Sequence, residues 1–252
     1  YCEHYLACDL STVAIDQLRE LTCDRSGYAG LELRAQQAND FTAIEPASYD
    51  VVMLCSVVQY FPSVTYLTTV IEGAIRALKP GGAIFLGDVR LRPLLPAFHA
   101  SVQLHQAGET LTAAGLKRRV QEALESEQEM AVEPTVFAAL RNRFPEISRV
   151  EIKSKRATIQ NEMTRFRADV TLHIGGPAGA PVPTDSTFIA WTDQRWSANT
   201  LREQLQVWQS KPDAAILQLT EIANPRVQHE LRTLAWIETA PDKASVAEFR
   251  AS

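Results

Sequence analysis

Residues 49–63 read YDVVMLCSVVQYFPS and show the clearest secondary-structure pattern in the chain. The continuous apolar run of residues 51–55 predicts a central parallel strand that is covered on both faces. Ser63 then opens a helix that is predicted to end near Leu78, and residues 83–87 are apolar again and predict the next strand. Strand, helix and strand in this order predict a parallel α/β sheet with right-handed crossovers.

The same alternation continues on both sides of this stretch. Upstream, residues 5–8 and 30–35 are predicted strands that enclose a helical pattern. Downstream, residues 93–143 are predicted to be helical, and two β-like runs follow at residues 149–154 and 166–174. Because these two runs lie too close in sequence for a full crossover helix, we expect them to pair antiparallel.

A Gly/Pro-rich segment divides the chain. Residues 175–184 read GGPAGAPVPT, a composition that is typical of a linker. It predicts a core over residues 1–174 and a small C-terminal α/β subdomain over residues 185–252.

Composition excludes several classes of protein. The chain has 252 residues, 46% hydrophobic and 22% charged, and 25 basic against 30 acidic side chains leave no basic segment for a nucleic-acid partner. No apolar run is long enough to span a membrane. The histidines form no metal-ligand pair, so we expect no metal, and we expect a cytoplasmic protein with reduced, buried thiols. The four cysteines have no CxxC spacing: Cys2, Cys8, Cys23 and Cys55.

Acidic residues follow the first two predicted strands, where parallel sheets bind ligands. Asp9 is placed to accept both hydroxyls of a ribose, because a carboxylate accepts two O–H groups. The alternative is that Asp9 only caps the helix that begins near Ser11. Asp40 with Phe41 suits an adenine. The Asp40 carboxylate would accept a hydrogen bond from the amino group of the base, and the Phe41 ring would pack on the face of the base.

Polar residues also follow the later strands. We expect Gln59 and Tyr60 to have buried polar tips that need partners just past the central strand. Asp88 and Arg90 lie on the same side of a strand end. They are either functional groups or a plain surface ion pair. Asn161 with Glu162 reads as a charged hairpin edge or as acceptors for a substrate amine. His99 and His105 are helical, and each is a packed or exposed residue or a possible base.

The longest of these motifs resemble a known family, the methyltransferase domains embedded in nonribosomal peptide synthetases. Those domains use S-adenosylmethionine, and most N-methylate an amino acid held as a thioester on a carrier protein. The resemblance therefore implies a Rossmann-like methyltransferase fold, S-adenosylmethionine, a carrier-bound aminoacyl thioester and neighbouring synthetase domains that the C-terminal subdomain would contact. It rests on residues 50–67, 80–90, 129–137, 155–167 and 222–227.

Carried over by position, the resemblance implies two sets of site residues. The cofactor set is Asp9 with Leu10 for the ribose, Asp40 with Phe41 for the adenine, and Cys55 with Ser56 for the methionine end. The substrate set is Gln59, Tyr60, Asp88, Arg90, Asn161 and Glu162.

The chain departs from the family in two ways. Cys55 stands where the family commonly has Asn, which removes a donor and an acceptor near the methionine. The family's first strand and glycine-rich loop should precede Tyr5, so we expect an N-terminally truncated core that holds its cofactor poorly.

Other functions remain open on the sequence. An amine needs only a modest acceptor, for which Glu162, Asp88 or Asn161 would serve, whereas an O- or C-methyltransferase needs a dedicated base such as His99. A non-catalytic, truncated docking remnant of the fold is a third hypothesis. A nicotinamide dehydrogenase shares the acidic ribose residue, but the late strand pair and residues 59–63 speak against it.

Overall fold

A computed structural model describes residues 2–23, 26–156, 158–175, 187–191, 196–209 and 217–252. The chain divides into two compact units. Unit 1 comprises Tyr1–Val89, Pro134–Ile152 and Asp169–Gly176, and unit 2 comprises Arg90–Glu133, Lys153–Ala168 and Pro177–Ser252. The predicted linker begins at Gly175, and the rest of it lies outside the described residues. The predicted domain boundaries stay predictions.

Helices and strands alternate through the first half of the chain. The strands are β1 (Tyr5–Asp9), β2 (Leu31–Ala35), β3 (Tyr49–Cys55), β4 (Leu78–Arg90), β5 (Ile147–Ser154), β6 (Arg167–Ile174), β7 (Thr187–Ala190) and β8 (Leu217–Thr220). The helices are α1 (Thr12–Thr22), α2 (Val64–Ala77), α3 (Leu95–His105), α4 (Ala113–Glu125), α5 (Pro134–Arg143), α6 (Glu162–Phe166), α7 (Ala198–Gln209), α8 (Gln228–Thr239) and α9 (Val246–Ala251).

Serine caps start the two helices of unit 1 that follow strands. The Ser11 hydroxyl accepts from the Ala14 N–H at 3.2 Å, and the Ser63 hydroxyl accepts from the Tyr66 N–H at 3.1 Å, so both predicted helix starts are confirmed. In α2 the predicted inner face is buried at Leu67, Val70, Ile71 and Ala74.

Parallel pairing dominates the sheets, as predicted. β1 pairs with β2, β3 with β4, and β7 with β8, all parallel. The largest sheet has the order β3-β4-β6-β5. Gly175 N–H donates to the Glu146 carbonyl at 2.8 Å and the Ser148 hydroxyl to the His173 carbonyl at 3.2 Å. Residue numbers therefore rise along β5 while those of the bonded residues fall along β6. The two strands are antiparallel, as predicted.

Strand β3 is not covered on both faces, so that prediction is wrong. Val51 is 52% exposed and Met53 is 49% exposed. Val51 and Met53 are two residues apart and therefore lie on the same face of β3, which is its exposed face.

Helix α2 passes into β4 without an intervening loop. Tyr49 pairs with Leu78 and Val51 with Ala83, so residues 79–82 form a bulge between two paired positions. Gly81 in this bulge has φ +89°, a left-handed conformation that favours glycine. The predicted end of this helix near Leu78 is confirmed, and residues 79–82 belong to the strand that follows it.

Helices build the core of unit 2. Ala100 and Leu104 of α3 pack with Leu116 and Val120 of α4, and residues of α8 and α9 complete the cluster. Thr112 caps α4, its hydroxyl accepting from the Gly115 N–H at 3.1 Å.

The cysteines are exposed rather than buried, which corrects that expectation. Cys2, Cys8 and Cys23 carry free thiols near the surface of unit 1, and Cys55 is exposed at the end of β3. Cys8 and Cys55 belong to strands with accessible side chains, whereas Cys2 precedes β1 and Cys23 follows α1. Among the described residues, no helix is both long and apolar enough to cross a membrane.

Candidate functional site

Asp9 ends β1, as predicted. Its Oδ1 accepts from the Ser11 N–H at 2.7 Å, while Ser11 itself caps α1. Asp9 therefore shapes the turn into the helix but is not the helix cap. Leu10, between them, is 74% exposed. A carboxylate with only this local bond described keeps acceptor capacity for a ligand.

The turn after β2 lies against α2. Asp40 Oδ1 accepts from the Thr42 hydroxyl at 2.7 Å and the Thr42 N–H at 3.0 Å, and these hydrogen bonds lower the pKa of Asp40. The Tyr66 hydroxyl of α2 donates to Asn39 Oδ1 at 3.0 Å. Asp40 is therefore held as a carboxylate acceptor in an anchored turn.

Phe41 packs on the backbone of α2 at Gly73. A Cβ built at Gly73 would overlap the Phe41 ring, so this close approach requires glycine. The predicted adenine platform is thus positioned by a helix in the middle of unit 1.

We expect Gly73→Ala to displace the Phe41 ring. Alanine favours helix by about 1 kcal/mol, but the overlap should destabilise the fold by about 1–3 kcal/mol net. If Phe41 holds the adenine of S-adenosylmethionine, the cofactor that the resemblance implies, affinity for this cofactor should fall by up to about tenfold, because a misplaced ring loses its stacking contribution. Calorimetric titration and thermal unfolding measure both effects. Gly27→Ala is the matched control, since a Cβ there meets nothing within 4 Å; equal affinity in both variants would contradict the prediction.

Ser56 and Asp88 face each other at the ends of the paired strands β3 and β4. Both have left-handed backbones, with φ of 55° and 63°. The Ser56 hydroxyl donates to Asp88 Oδ2 at 2.6 Å, and the Asp88 N–H donates to Asp169 Oδ1 at 3.1 Å. Non-glycine residues in this region cost about 1–3 kcal/mol each and cluster at functional sites. The sequence analysis did not predict a role for Asp169, because the alternation of polar and apolar residues along β6 does not distinguish it from its neighbours.

Gln59 is buried beside this pair. It is 4% exposed, and its Nε2 donates to the Ser56 carbonyl at 2.9 Å. Its Oε1 is buried with no hydrogen-bond partner in the described part of the chain. A buried acceptor without a donor costs about 1–3 kcal/mol, so this atom suits a ligand N–H or O–H. The predicted buried tip of Gln59 is confirmed.

Tyr60 does not have a buried tip, which corrects the expectation for this residue. Its side chain is 71% exposed. Val58 to Tyr60 form a single 3-10 turn that directs Val58 and Gln59 inward, and one turn cannot bury three successive side chains. The following Phe61 packs edge-on against Tyr66, with ring centroids 4.8 Å apart.

Arg90 pairs with two glutamates in unit 2 rather than with Asp88. Its guanidinium donates to Glu127 and to Glu129, each at 2.7 Å, and its side chain is only 7% exposed. The alternative of a plain surface ion pair between Asp88 and Arg90 is therefore wrong, since the buried guanidinium of Arg90 takes its carboxylate partners from Glu127 and Glu129. His99 Nε2 lies 3.1 Å from the same Glu127 and is packed in α3.

The pKa of Glu127 lies below its ordinary value. Burial raises the pKa, but hydrogen bonds from Arg90 and the Glu129 backbone, together with nearby positive charge, outweigh it. A lowered folded-state pKa stabilises the protein above the unfolded value of about 4.3, and this contribution is lost as pH falls through the folded value.

We expect Glu127→Gln to flatten this acid dependence. At neutral pH the variant should lose about 1–3 kcal/mol, because the buried Arg90 keeps Glu129 as its carboxylate but loses Glu127. Below about pH 4.3 the difference from the wild type should shrink. Urea unfolding at pH 7 and at several acid values tests this. Glu238→Gln, an exposed partner of Lys117, should leave the pH profile unchanged. A constant difference at every pH would count against the prediction.

Asn161 and Glu162 lie on a short helix, not on a hairpin edge, which corrects that alternative. Asn161 caps α6 in a capping box with Thr164, so the backbone turns into a helix before β6. Glu162 Oε1 accepts from Arg167 at 2.5 Å and 3.2 Å. Glu162 borders a pocket within unit 2 that is also lined by Arg90, Arg167, Leu91, Leu94 and Phe98.

The predicted site residues thus form groups within each unit. Unit 1 brings Ser56, Gln59 and Asp88 into hydrogen-bonded contact, and unit 2 places Arg90 and Glu162 on one pocket. His105 is exposed at the end of α3 and lies outside both groups. Within the described ranges, no group of three or more histidine, cysteine or acidic side chains is placed to hold a metal ion.

Comparison with known proteins identifies the family of the N-terminal third of the chain. Residues 1–84 match a family model described as a methyltransferase domain. Residues 1–84 belong to this methyltransferase domain family. The predicted methyltransferase, its α/β fold and S-adenosylmethionine as its cofactor are thereby confirmed.

Synthetases are among the chain's relatives. Chondramide synthase of Chondromyces crocatus is 42% identical over 98% of this chain and 6% of that protein. A probable non-canonical nonribosomal peptide synthetase of Salinispora arenicola is 38% identical over 69% of the chain and 2% of that protein. The beauvericin nonribosomal cyclodepsipeptide synthetase of Beauveria bassiana is 32% identical over 81% and 7%. The methyltransferase chain therefore spans only 2–7% of the length of these relatives.

Proposed function

We propose that this methyltransferase N-methylates an aminoacyl thioester on a carrier protein, next to further domains of a nonribosomal peptide synthetase. The names of its relatives support the setting. The observation that carries the choice of nitrogen is the acceptor at the pocket of unit 2. That acceptor is the carboxylate of Glu162, whereas His99 Nε2 is engaged by Glu127.

Unit 1 supplies the residues toward the cofactor in this proposal. Asp9, beside Leu10, accepts from the ribose hydroxyls, and Asp40 with Phe41 holds the adenine. Cys55 and Ser56 line the methionine end. The orphaned Gln59 Oε1 supports a polar ligand near them, since a ligand donor would remove the cost of that buried acceptor. Bound S-adenosylmethionine supplies an activated methyl group on a sulfonium.

Unit 2 supplies the acceptor for the substrate. An α-amine has an ordinary pKa of about 7.7–8.0, so much of it is neutral near physiological pH and a modest acceptor suffices. Arg167 anchors Glu162 Oε1, which holds the carboxylate in place to orient the amine and to accept its proton. The remaining contribution of the protein is alignment and the exclusion of water.

Methyl transfer to oxygen or carbon is the second candidate. It requires a base strong enough to deprotonate a hydroxyl or a C–H group. His99 is the buried histidine of α3, and its contact with Glu127 and the edge of Phe98 favours a packing role.

The test uses the longest natural polypeptide that carries these 252 residues. It is supplied with methyl-labelled S-adenosylmethionine and two pantetheine thioesters, one of L-leucine and one of its 2-hydroxy analogue. We expect label on the amine and none on the hydroxyl, read by mass spectrometry. Label on the hydroxyl alone would establish the second candidate. Neither product, together with no cofactor binding by calorimetry, would establish a docking remnant.

A further inference from the structure

Helix α6, which carries Glu162, is too short to be stable by itself. It comprises five residues, Glu162–Phe166, and isolated helices shorter than about 12 residues are marginal in water. The capping box of Asn161 and Thr164 satisfies its first turn but does not fix the helix relative to the rest of unit 2. The position of Glu162 therefore depends on the contacts that other parts of the unit make with α6.

Arg226 bonds to this helix and to the segment before it. Its Nη1 donates to the Thr164 carbonyl within α6 at 3.0 Å and to the Lys155 carbonyl at 2.7 Å. One guanidinium nitrogen thus joins the chain on both sides of Glu162. Arg226 is itself held in place, because its backbone N–H donates to Asn224 Oδ1 at 3.1 Å. The segment that presents Glu162 is therefore closed by a side chain from a distant part of the sequence.

Helix α6 in turn bonds to the region around Arg226. Arg165 Nε donates to the Arg226 carbonyl at 2.9 Å, and Arg165 Nη2 pairs with Glu230 in the first turn of α8. Glu230 is only 2% exposed, so loss of either partner of this ion pair would leave a charge without its buried counterpart. Phe166 and Val227 pack in one buried cluster. Hydrogen bonds, an ion pair and apolar packing thus fasten α6 to α8 and to the turn before it.

We infer that Arg226 is a positioning residue of this methyltransferase: it holds α6 so that the Glu162 carboxylate lies where the substrate amine needs its acceptor. The inference rests on the proposed role of Glu162 as that acceptor. Arg226 acts through backbone carbonyls, and displacement of a reacting group by about 1 Å can cost about a hundredfold in rate. Loss of its bonds should therefore lower kcat while leaving the proposed cofactor residues of unit 1 in place.

Replacing Arg226 by methionine tests the positioning role. Arg226→Met keeps much of the apolar stem but removes every N–H donor of the side chain. The longest natural polypeptide is supplied with S-adenosylmethionine and the leucyl pantetheine thioester, and we expect kcat to fall at least about tenfold. Affinity for S-adenosylmethionine should change by less than about twofold. Wild-type kcat in this variant would overturn the inference.

Hydrogen exchange measures the hold on α6 without relying on catalysis. In Arg226→Met the amides of residues 159–166 should exchange at least about tenfold faster by mass spectrometry, because α6 opens more often. Unchanged exchange would overturn the inference whatever the kinetics show. Faster exchange in a polypeptide whose wild type does not methylate the amine would support the hold of Arg226 on α6 and contradict the proposed function.

A double variant shows whether Arg226 acts through Glu162. Adding Arg226→Met to Glu162→Gln should lower kcat by less than about twofold further, because the carboxylate that Arg226 positions is already gone. A further loss of about tenfold would mean that the two residues act independently, and it would overturn the inference.

Arg250→Met is the matched control. Arg250 also donates to two backbone carbonyls of unit 2, those of Leu104 at 2.7 Å and Ala107 at 3.2 Å, but these lie at the end of α3. The control should leave kcat and the exchange of α6 within about twofold of the wild type. Losses equal to those of Arg226→Met would overturn the assignment to Arg226.

Arg226→Lys covers the case in which Arg226→Met does not fold. Its ammonium keeps the positive charge and can donate to a carbonyl, but it lacks the reach of the guanidinium. We expect kcat and the exchange protection of α6 to fall together, each by less than in Arg226→Met. Either quantity at its wild-type value would overturn the inference.

Discussion

Replacing Asp9 by alanine is expected to lower affinity for S-adenosylmethionine by at least about a hundredfold. The carboxylate is proposed to accept from two ribose hydroxyls, and hydrogen bonds to a charged group contribute about 1.5–3 kcal/mol each. Calorimetric titration of the longest natural polypeptide measures the loss.

Two further variants separate this effect from the local turn. Asp9→Asn keeps an oxygen that can accept from the Ser11 N–H, so it should preserve the start of α1 and retain an intermediate affinity. Asp16→Ala removes another exposed aspartate, which pairs with Arg19 in α1, and should change affinity by less than about twofold. Wild-type affinity in Asp9→Ala would remove Asp9 from the cofactor site.

Replacing Glu162 by glutamine is expected to lower kcat by about a hundredfold, with little change in affinity for S-adenosylmethionine. Glutamine keeps the shape and can still accept from Arg167, so the loss would report the missing proton acceptor. Steady-state kinetics with the leucyl thioester give kcat and KM separately.

The pH profile distinguishes this role from a structural one. If Glu162 receives the amine proton, the deficit of the variant should narrow above about pH 8, where the amine is already neutral. A deficit that is constant with pH would point to misfolding of α6 instead. Glu122→Gln, at an exposed glutamate of α4 in the same unit, should show wild-type kinetics.

Local patterns were sufficient to predict most of the elements. The apolar run of β3 and the serine at the start of α2 each carry a physical signal within a few neighbours. The first is a continuous apolar composition that predicts a strand, and the second is a side chain that satisfies a free N–H. Spacing alone also predicted the antiparallel partner of β6. These signals do not depend on where distant parts of the chain lie.

Distant contacts explain what was missed. Arg90 and Glu127 are 37 residues apart, and nothing in the neighbourhood of either residue indicates the other. The exposure of Val51 and Tyr60 is likewise set by which element covers a face, which composition does not specify. The left-handed backbones of Ser56 and Asp88 were missed because neither residue type demands that conformation.

The bulge at residues 79–82 has a consequence for how this chain tolerates insertions and deletions. β4 pairs with β3 on both sides of the bulge, at Leu78 and from Ala83 onward. Extra or missing residues inside it would be absorbed as a larger or smaller bulge. A single residue inserted after Ala83 would instead turn the rest of the strand over, carrying Asp88 and Arg90 to the opposite face. We therefore expect insertions and deletions that arise in evolution to fall within these four residues. Engineered junctions between related domains should be tolerated there as well.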